Sequence, residues 1–170
     1  MKFIGFDAAL RKTGWAYSPR PGVWNTGIVD VTDGDALAGI IAAAKRDGVA
    51  RAVIENCYLG PAWNVRALKA LQEAQTRIKV ACEMAGVMPE LIYAQTWQAA
   101  FGLTGKRPDR KLGAQRVARA LGAGDLTEDE ADAVCLADYA TRAGRQEEIA
   151  LCGPRGGTFR YRRKPKEAAS

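Results

Sequence analysis

The hydrophobic pattern of this chain first changes period near residue 35. Residues 2–6 ("KFIGF"), "GWAYS" at 14–18 and "VWNTGIVDV" at 23–31 are short runs rich in aromatic and β-branched residues, and Gly, Pro and Asn mark the connections. They predict three strands joined as a meander. From Asp35 the spacing becomes helical: in "DALAGIIAAAKRDG", Leu37, Ile40, Ile41 and Ala44 share one face and Gly48 is the stop. Strands and helices then alternate. "ARAVIEN" is a strand ending near Glu55, and residues 62–85 form the longest helical pattern. "ELIYA" is a fifth strand, "TWQAAFG" a short helix or turn, and "PDRKLGAQRVARALG" a basic helix with Pro108 in its first turn. Last comes "LTEDEADAVCLADYATRAG", where Thr127 and Glu130 fit a capping box and Ala131, Val134, Cys135, Leu136 and Ala137 supply the apolar side. The expected order is β-β-β-α-β-α-β-α-α, an α/β chain without internal repeats.

At 170 residues, 48% hydrophobic and 26% charged, the chain suits one domain with a real core. We place that domain at residues 1–144. Beyond Gly144 the periodicity fades, and residues 145–170 read as a basic, mobile C-terminal tail. The net charge of +6 is clustered: Lys106, Arg107, Arg110, Lys111, Arg116 and Arg119 form one group, and the tail, with Arg160, Arg162 and Arg163, forms another. A polyanionic partner is expected. The four cysteines form no CxxC pair, so they are expected to be reduced and structural. Charge breaks the amino terminus too early for a signal sequence, and no apolar stretch approaches a membrane span, which predicts a cytoplasmic protein. There is no histidine, which excludes Ser-His-Asp and Cys-His catalysis and Cys/His zinc sites. Carboxylates, lysines or metals must carry any chemistry.

Four acids draw notice. Asp7 and Glu55 each lie at the end of an apolar strand, where a carboxylate is costly unless paired or metal-bound. For either alone, capping a turn is explanation enough. Asp129 and Asp132, three apart, share one face of the last helix. The helix start accounts for Glu128, Asp129 and Glu130, but Asp132 lies deeper, among Ala131, Ala133, Val134 and Cys135. Four acids brought together from two strand ends and one helix face would repel one another unless cations lay between them. Two Mg²⁺ ions would resolve this and would suit phosphodiester cleavage, with Mn²⁺ able to substitute.

In order and spacing, "IGFDAALRKTGWAY", "VIENCYLG", "YAQTWQAAFG" and "DEADAVCLADYA" resemble the motifs of RuvC-type Holliday junction resolvases, over residues 2–142. The resemblance implies an RNase H-like fold, with a five-stranded mixed sheet flanked by helices. It also implies a homodimer and Mg²⁺-dependent nicking of two opposed strands of a four-way DNA junction. By motif, the family's metal-binding acids fall on Asp7, Glu55, Asp129 and Asp132. Tyr58 falls where the family has an aromatic that stacks at the junction centre, and Lys106, Arg107, Arg110 and Lys111 fall in its basic segment. One departure is Ala8-Ala9, where the family commonly has Pro-Gly after the first aspartate. This divergence, with the short chain and basic tail, fits a phage-type member accepting several branched substrates.

Other readings stay open. A nuclease of the same fold could act on other branched DNA or on RNA-DNA hybrids, since substrate shape is not written in metal ligands. An actin-like phosphotransferase also opens with a strand, Asp and Thr-Gly, but needs two lobes and a phosphate loop that this chain lacks. A non-catalytic DNA-binding module would keep the cations but has no use for four acids beside a phosphate.

Overall fold

The computed structural model describes the backbone of residues 1–56 and 65–152 and the side chains through residue 144. Three strands, β1 (Phe3–Asp7), β2 (Thr13–Arg20) and β3 (Val23–Val29), open the chain and pair antiparallel as a meander. Helix α1 (Gly34–Arg46) leads to β4 (Arg51–Asn56), and α2 (Val65–Met84) leads to β5 (Met88–Tyr93). β4 lies parallel to β1 and β5 parallel to β4, so the sheet is mixed, with the order β3-β2-β1-β4-β5. Helices α3 (Ala94–Ala100), α4 (Arg107–Ala120) and α5 (Glu128–Cys152) complete the chain.

Alternation along the strands divides the core into two layers. Ile4, Phe6, Ala52 and Ile54 point to one face, in a cluster with Leu37 and Ile41 of α1 and Ala74, Ile78 and Cys82 of α2. Phe3, Ala16 and Val53 belong to the opposite cluster, with Ala114 and Ala118 of α4 and the apolar side of α5. On α2, Ala74, Ile78 and Cys82 carry the stripe that meets the sheet, and Leu68 and Leu71 are half-buried.

The sequence and the structure differ mainly at element ends. α1 begins at Gly34, one residue before Asp35, and Asp33 caps it, accepting a hydrogen bond from the Ala36 N–H at 3.0 Å. β5 begins two residues before the expected "ELIYA". The largest difference is α5, whose helical backbone runs past Gly144 to Cys152. Gly144 packs against the Phe3 ring, a built Cβ falling 3.2 Å from it, so this glycine serves close packing and does not end the helix. Residues 153–170 lie outside the described residues.

Candidate active site

Period-two alternation puts Asp7 on the same face as Phe3 and Gly5, and Glu55 on the same face as Val53. That is the face covered by α5. β1 and β4 run parallel with Phe6 opposite Ile54, and the same offset carried one residue further sets Asp7 against Glu55. Two strands of one direction therefore end side by side, each presenting a carboxylate to the helix above.

Two glycines let α5 come down onto these ends. A Cβ on Gly5 would overlap the Ala133 carbonyl oxygen and stand 2.9 Å from the Ala137 nitrogen, and a Cβ on Gly14 would overlap the Asp129 carbonyl group. Gly14 pairs with Asp7 across the β1–β2 ladder, so the gap lies beside the carboxylate. The start of α5 is held by reciprocal bonds between Thr127 and Glu130, the Thr127 N–H donating to Glu130 at 3.1 Å. Thr26 of β3 also donates to Glu130, at 3.2 Å. Glu130 is thus taken up by the cap, while Asp129 and Asp132 turn toward Asp7. In the β1–β2 connection, where Ala8-Ala9 stands, the buried Thr13 hydroxyl accepts from the Ala9 N–H at 3.0 Å and donates to the Ala9 carbonyl.

Asp7, Glu55, Asp129 and Asp132 line one cleft of about 540 Å³. At its centre is Lys111 of α4, whose Nζ lies 2.5 Å from Asp132 Oδ2, 3.5 Å from Asp129 Oδ1 and 3.6 Å from Asp7 Oδ2. Burial, and next the Asp132 charge, push the Asp7 carboxyl up to about 7. Burial and then Asp7 push Glu55 up to about 8. Burial also raises Asp132, against the pull of Lys111. Burial alone would lower Lys111, but Asp132 and Asp7 outweigh it and hold the ammonium charged. Among the described residues, no three metal-binding side chains are placed to hold an ion directly; these acids stand around an ammonium.

The other predicted residues divide. Arg107 and Arg110 line the cleft with Lys111, Arg110 also donating to the Gly105 carbonyl at 2.6 Å. Lys106 does not line it; it stands at the N-terminus of α4, where its N–H donates to Asp109. Tyr58, Arg160, Arg162 and Arg163 lie outside the described residues.

Sequence reasoning missed Trp97. Its indole is fully buried and Nε1–H donates to Glu55 Oε2 at 3.0 Å, while Gln75 donates to the Glu55 carbonyl at 2.8 Å. A buried tryptophan needs an acceptor, but nothing in "TWQAAFG" says which. Gln95, Gln98 and Tyr93 also line the cleft, and none stands out by spacing.

No protein-family model matches the chain, and no curated protein matches it. Solved structures do. T. thermophilus RuvC in complex with a Holliday junction substrate matches with a TM-score of 0.65 at 13% identity, over 86% of this chain and 96% of that one. A second Thermus thermophilus RuvC structure matches with a TM-score of 0.62 at 13% identity, over 85% and 97%. The fold is the RNase H-like fold of RuvC. The five-stranded mixed sheet and its flanking helices agree with the fold class expected from sequence. Among the described residues no helix is long and apolar enough to cross a membrane.

Proposed function

We propose that this protein is a divalent-metal-dependent endonuclease that cuts four-way DNA junctions by nicking opposed strands. The observation that carries the reading is the convergence of Asp7, Glu55, Asp129 and Asp132 on one cleft whose remaining charges are Arg107, Arg110 and Lys111. The donor set fits hard cations: all four groups are carboxylates, burial and mutual repulsion raise three of them, and a cation already lies among them. Two Mg²⁺ ions held by these acids would supply water activation and stabilisation of the leaving oxygen. The protein's own groups do the rest. Trp97 orients Glu55 through its N–H, Gly5 and Gly14 admit the helix that brings Asp129 and Asp132, and Arg107 and Arg110 offer guanidinium groups to phosphates.

DNA as the partner is supported by the clustered positive charge and by the fold shared with a protein solved on a Holliday junction substrate. In this reading Lys106, Arg160, Arg162 and Arg163 add phosphate contacts at the periphery, and Tyr58 stacks on bases opened at the crossover. A homodimer is supported by exposed apolar residues on α2 (Val80, Met84) and on the edge strand β5 (Met88, Leu91).

The test compares cleavage of a mobile four-way junction with linear duplex, flap and RNA-DNA hybrid, with and without Mg²⁺. Mg²⁺-dependent cutting of the junction in preference to the other three is expected. Asp7→Asn and Asp132→Asn should each lower it by roughly 10³-fold or more, a barrier change of several kcal/mol, while junction binding in Ca²⁺ persists. Equal cutting of flap or hybrid would favour a different branched substrate, and near-normal cutting by either variant would remove the acids from the chemistry.

A further inference from the structure

We propose that Lys111 is an intramolecular occupant of the divalent-cation site: its ammonium holds the acids together in the metal-free protein and must be displaced for an ion to enter. The proposal rests on the reading of Asp7, Asp129 and Asp132 as metal ligands, and adds a competitor to it. Three carboxylates from two elements, the end of β1 and the first turns of α5, approach one nitrogen within 3.6 Å. The ammonium donates a hydrogen bond to Asp132 at 2.5 Å, and Asp129 and Asp7 face it at ion-pair distance.

The side chain is built into this position. Lys111 belongs to α4, which packs on α5 through Ala114, Ala118 and Val134 of one core layer. Cys135 of α5 also approaches the Ala114 carbonyl, at 3.7 Å. The base of the lysine is therefore fixed relative to Asp132, and only its flexible four-carbon stem can withdraw. The Lys111 side chain is 15% exposed, against 7% for Asp132 and 18% for Asp7, so water screens these two contacts weakly, while Asp129, 40% exposed, is the more screened of the three. As placed, no three acids among the described residues are grouped closely enough to hold an ion, and Asp7, Asp129 and Asp132 stand around the ammonium instead. A divalent ion must replace those three contacts. Once displaced, Lys111 remains in the cleft beside Arg107 and Arg110, where a phosphate can receive it.

The prediction concerns metal affinity, independent of turnover. Protein stripped of metal is titrated with Mn²⁺ by calorimetry at pH 8 and followed by thermal melting, for the parent and for Lys111→Met, Lys111→Arg and Lys79→Met. Lys79 is exposed on α2, away from the cleft, so its variant controls for net charge. Lys111→Met should bind Mn²⁺ about tenfold tighter or more, because a competing charge at contact distance is gone, and should melt lower without metal. Lys111→Arg, still cationic, and Lys79→Met should stay within about threefold of the parent. Unchanged or weaker binding by Lys111→Met, or equal tightening by the arginine variant, overturns the proposal.

A measurement on the parent guards against a methionine variant that does not fold. With ¹³C-labelled lysine, one Cε resonance should move on Mg²⁺ addition with the affinity that calorimetry reports, and no lysine resonance moving would overturn the proposal. Binding of Mn²⁺ without these lysine effects refutes the role of Lys111 and leaves the nuclease reading standing. Absence of divalent binding in every variant defeats both.

Discussion

The indole of Trp97 is fully buried in the core layer that holds Val53 and Leu136, and its one polar atom reaches Glu55. Glu55 is partly buried beside Asp7 and Asp132, so a fixed donor decides how its carboxylate is turned. Trp97→Phe keeps an aromatic ring and removes the donor. The Mg²⁺ concentration for half-maximal cleavage should rise about tenfold, the usual consequence of losing a group that orients a metal ligand. Leu136→Ala, a cavity in the same layer, should lower the urea midpoint and leave that concentration unchanged. A normal Mg²⁺ dependence for Trp97→Phe would mean that the indole only fills space. The raised carboxyls make a second prediction, for metal-free protein. A carboxyl whose folded pKa lies above its unfolded value favours the folded state while protonated, and that contribution is lost as pH rises through the folded pKa. For Asp7 and Glu55, raised to about 7 and about 8, stability should fall from about pH 4 to pH 8, and Mg²⁺ should restore it most at the upper end. Urea midpoints across that range in EDTA and in Mg²⁺ check this; a midpoint that rises with pH in EDTA would contradict it.

Between elements, the decisive contact is α5 on the ends of β1 and β2. Gly14 is the tightest point, since a built Cβ there overlaps the backbone of Asp129. Gly14→Ala must push the start of α5 away, destabilising by about 1–3 kcal/mol and carrying Asp129 and Asp132 off Asp7. We expect a lowered urea midpoint together with loss of Mg²⁺-dependent cleavage. Gly39→Ala, inside α1 with open space at its Cβ, should instead gain up to about 1 kcal/mol and cut normally. Full cleavage by Gly14→Ala would show that the acids need no such approach. The strand and helix order was legible because "FIGFD" and "RAVIEN" are short apolar runs, as strands buried on both faces of a sheet are, and α5 carries Ala131, Val134, Cys135 and Leu136 on its buried side. Asp7, Glu55 and Asp132 were legible as carboxylates in apolar context, and Asp129 only as the acid sharing a helix face with Asp132. Lys111 was not: in "GKRPDRK" it reads as one more cation, and only the packing of α4 on α5 turns it inward. Gly5 and Gly14 were equally silent, since a glycine in a strand does not reveal which backbone will lie over it. The extent of α5 was misread because Gly144 looks like a stop and serves as a packing gap.

At the scale of the whole molecule, the described residues gather Asp7, Glu55, Asp129 and Asp132 into a single cleft, so in the proposed function symmetric cutting of a junction needs two chains. In the proposed homodimer the apolar residues exposed on α2 and at β5 would meet the second copy, and C2 symmetry would set two clefts toward two opposed strands. The central claim is that two such clefts act together on one junction. A supercoiled plasmid that extrudes a cruciform tests it directly: paired incision across the junction yields linear DNA, whereas independent incisions relax the cruciform after the first nick and leave open circles. With Mg²⁺ and protein in excess, linear product should appear without prior accumulation of nicked circles, and mixing with Asp132→Asn protein should shift the product toward nicked circles. Nicked circles alone from the parent protein, or no Mg²⁺-dependent product of either kind, would contradict the account.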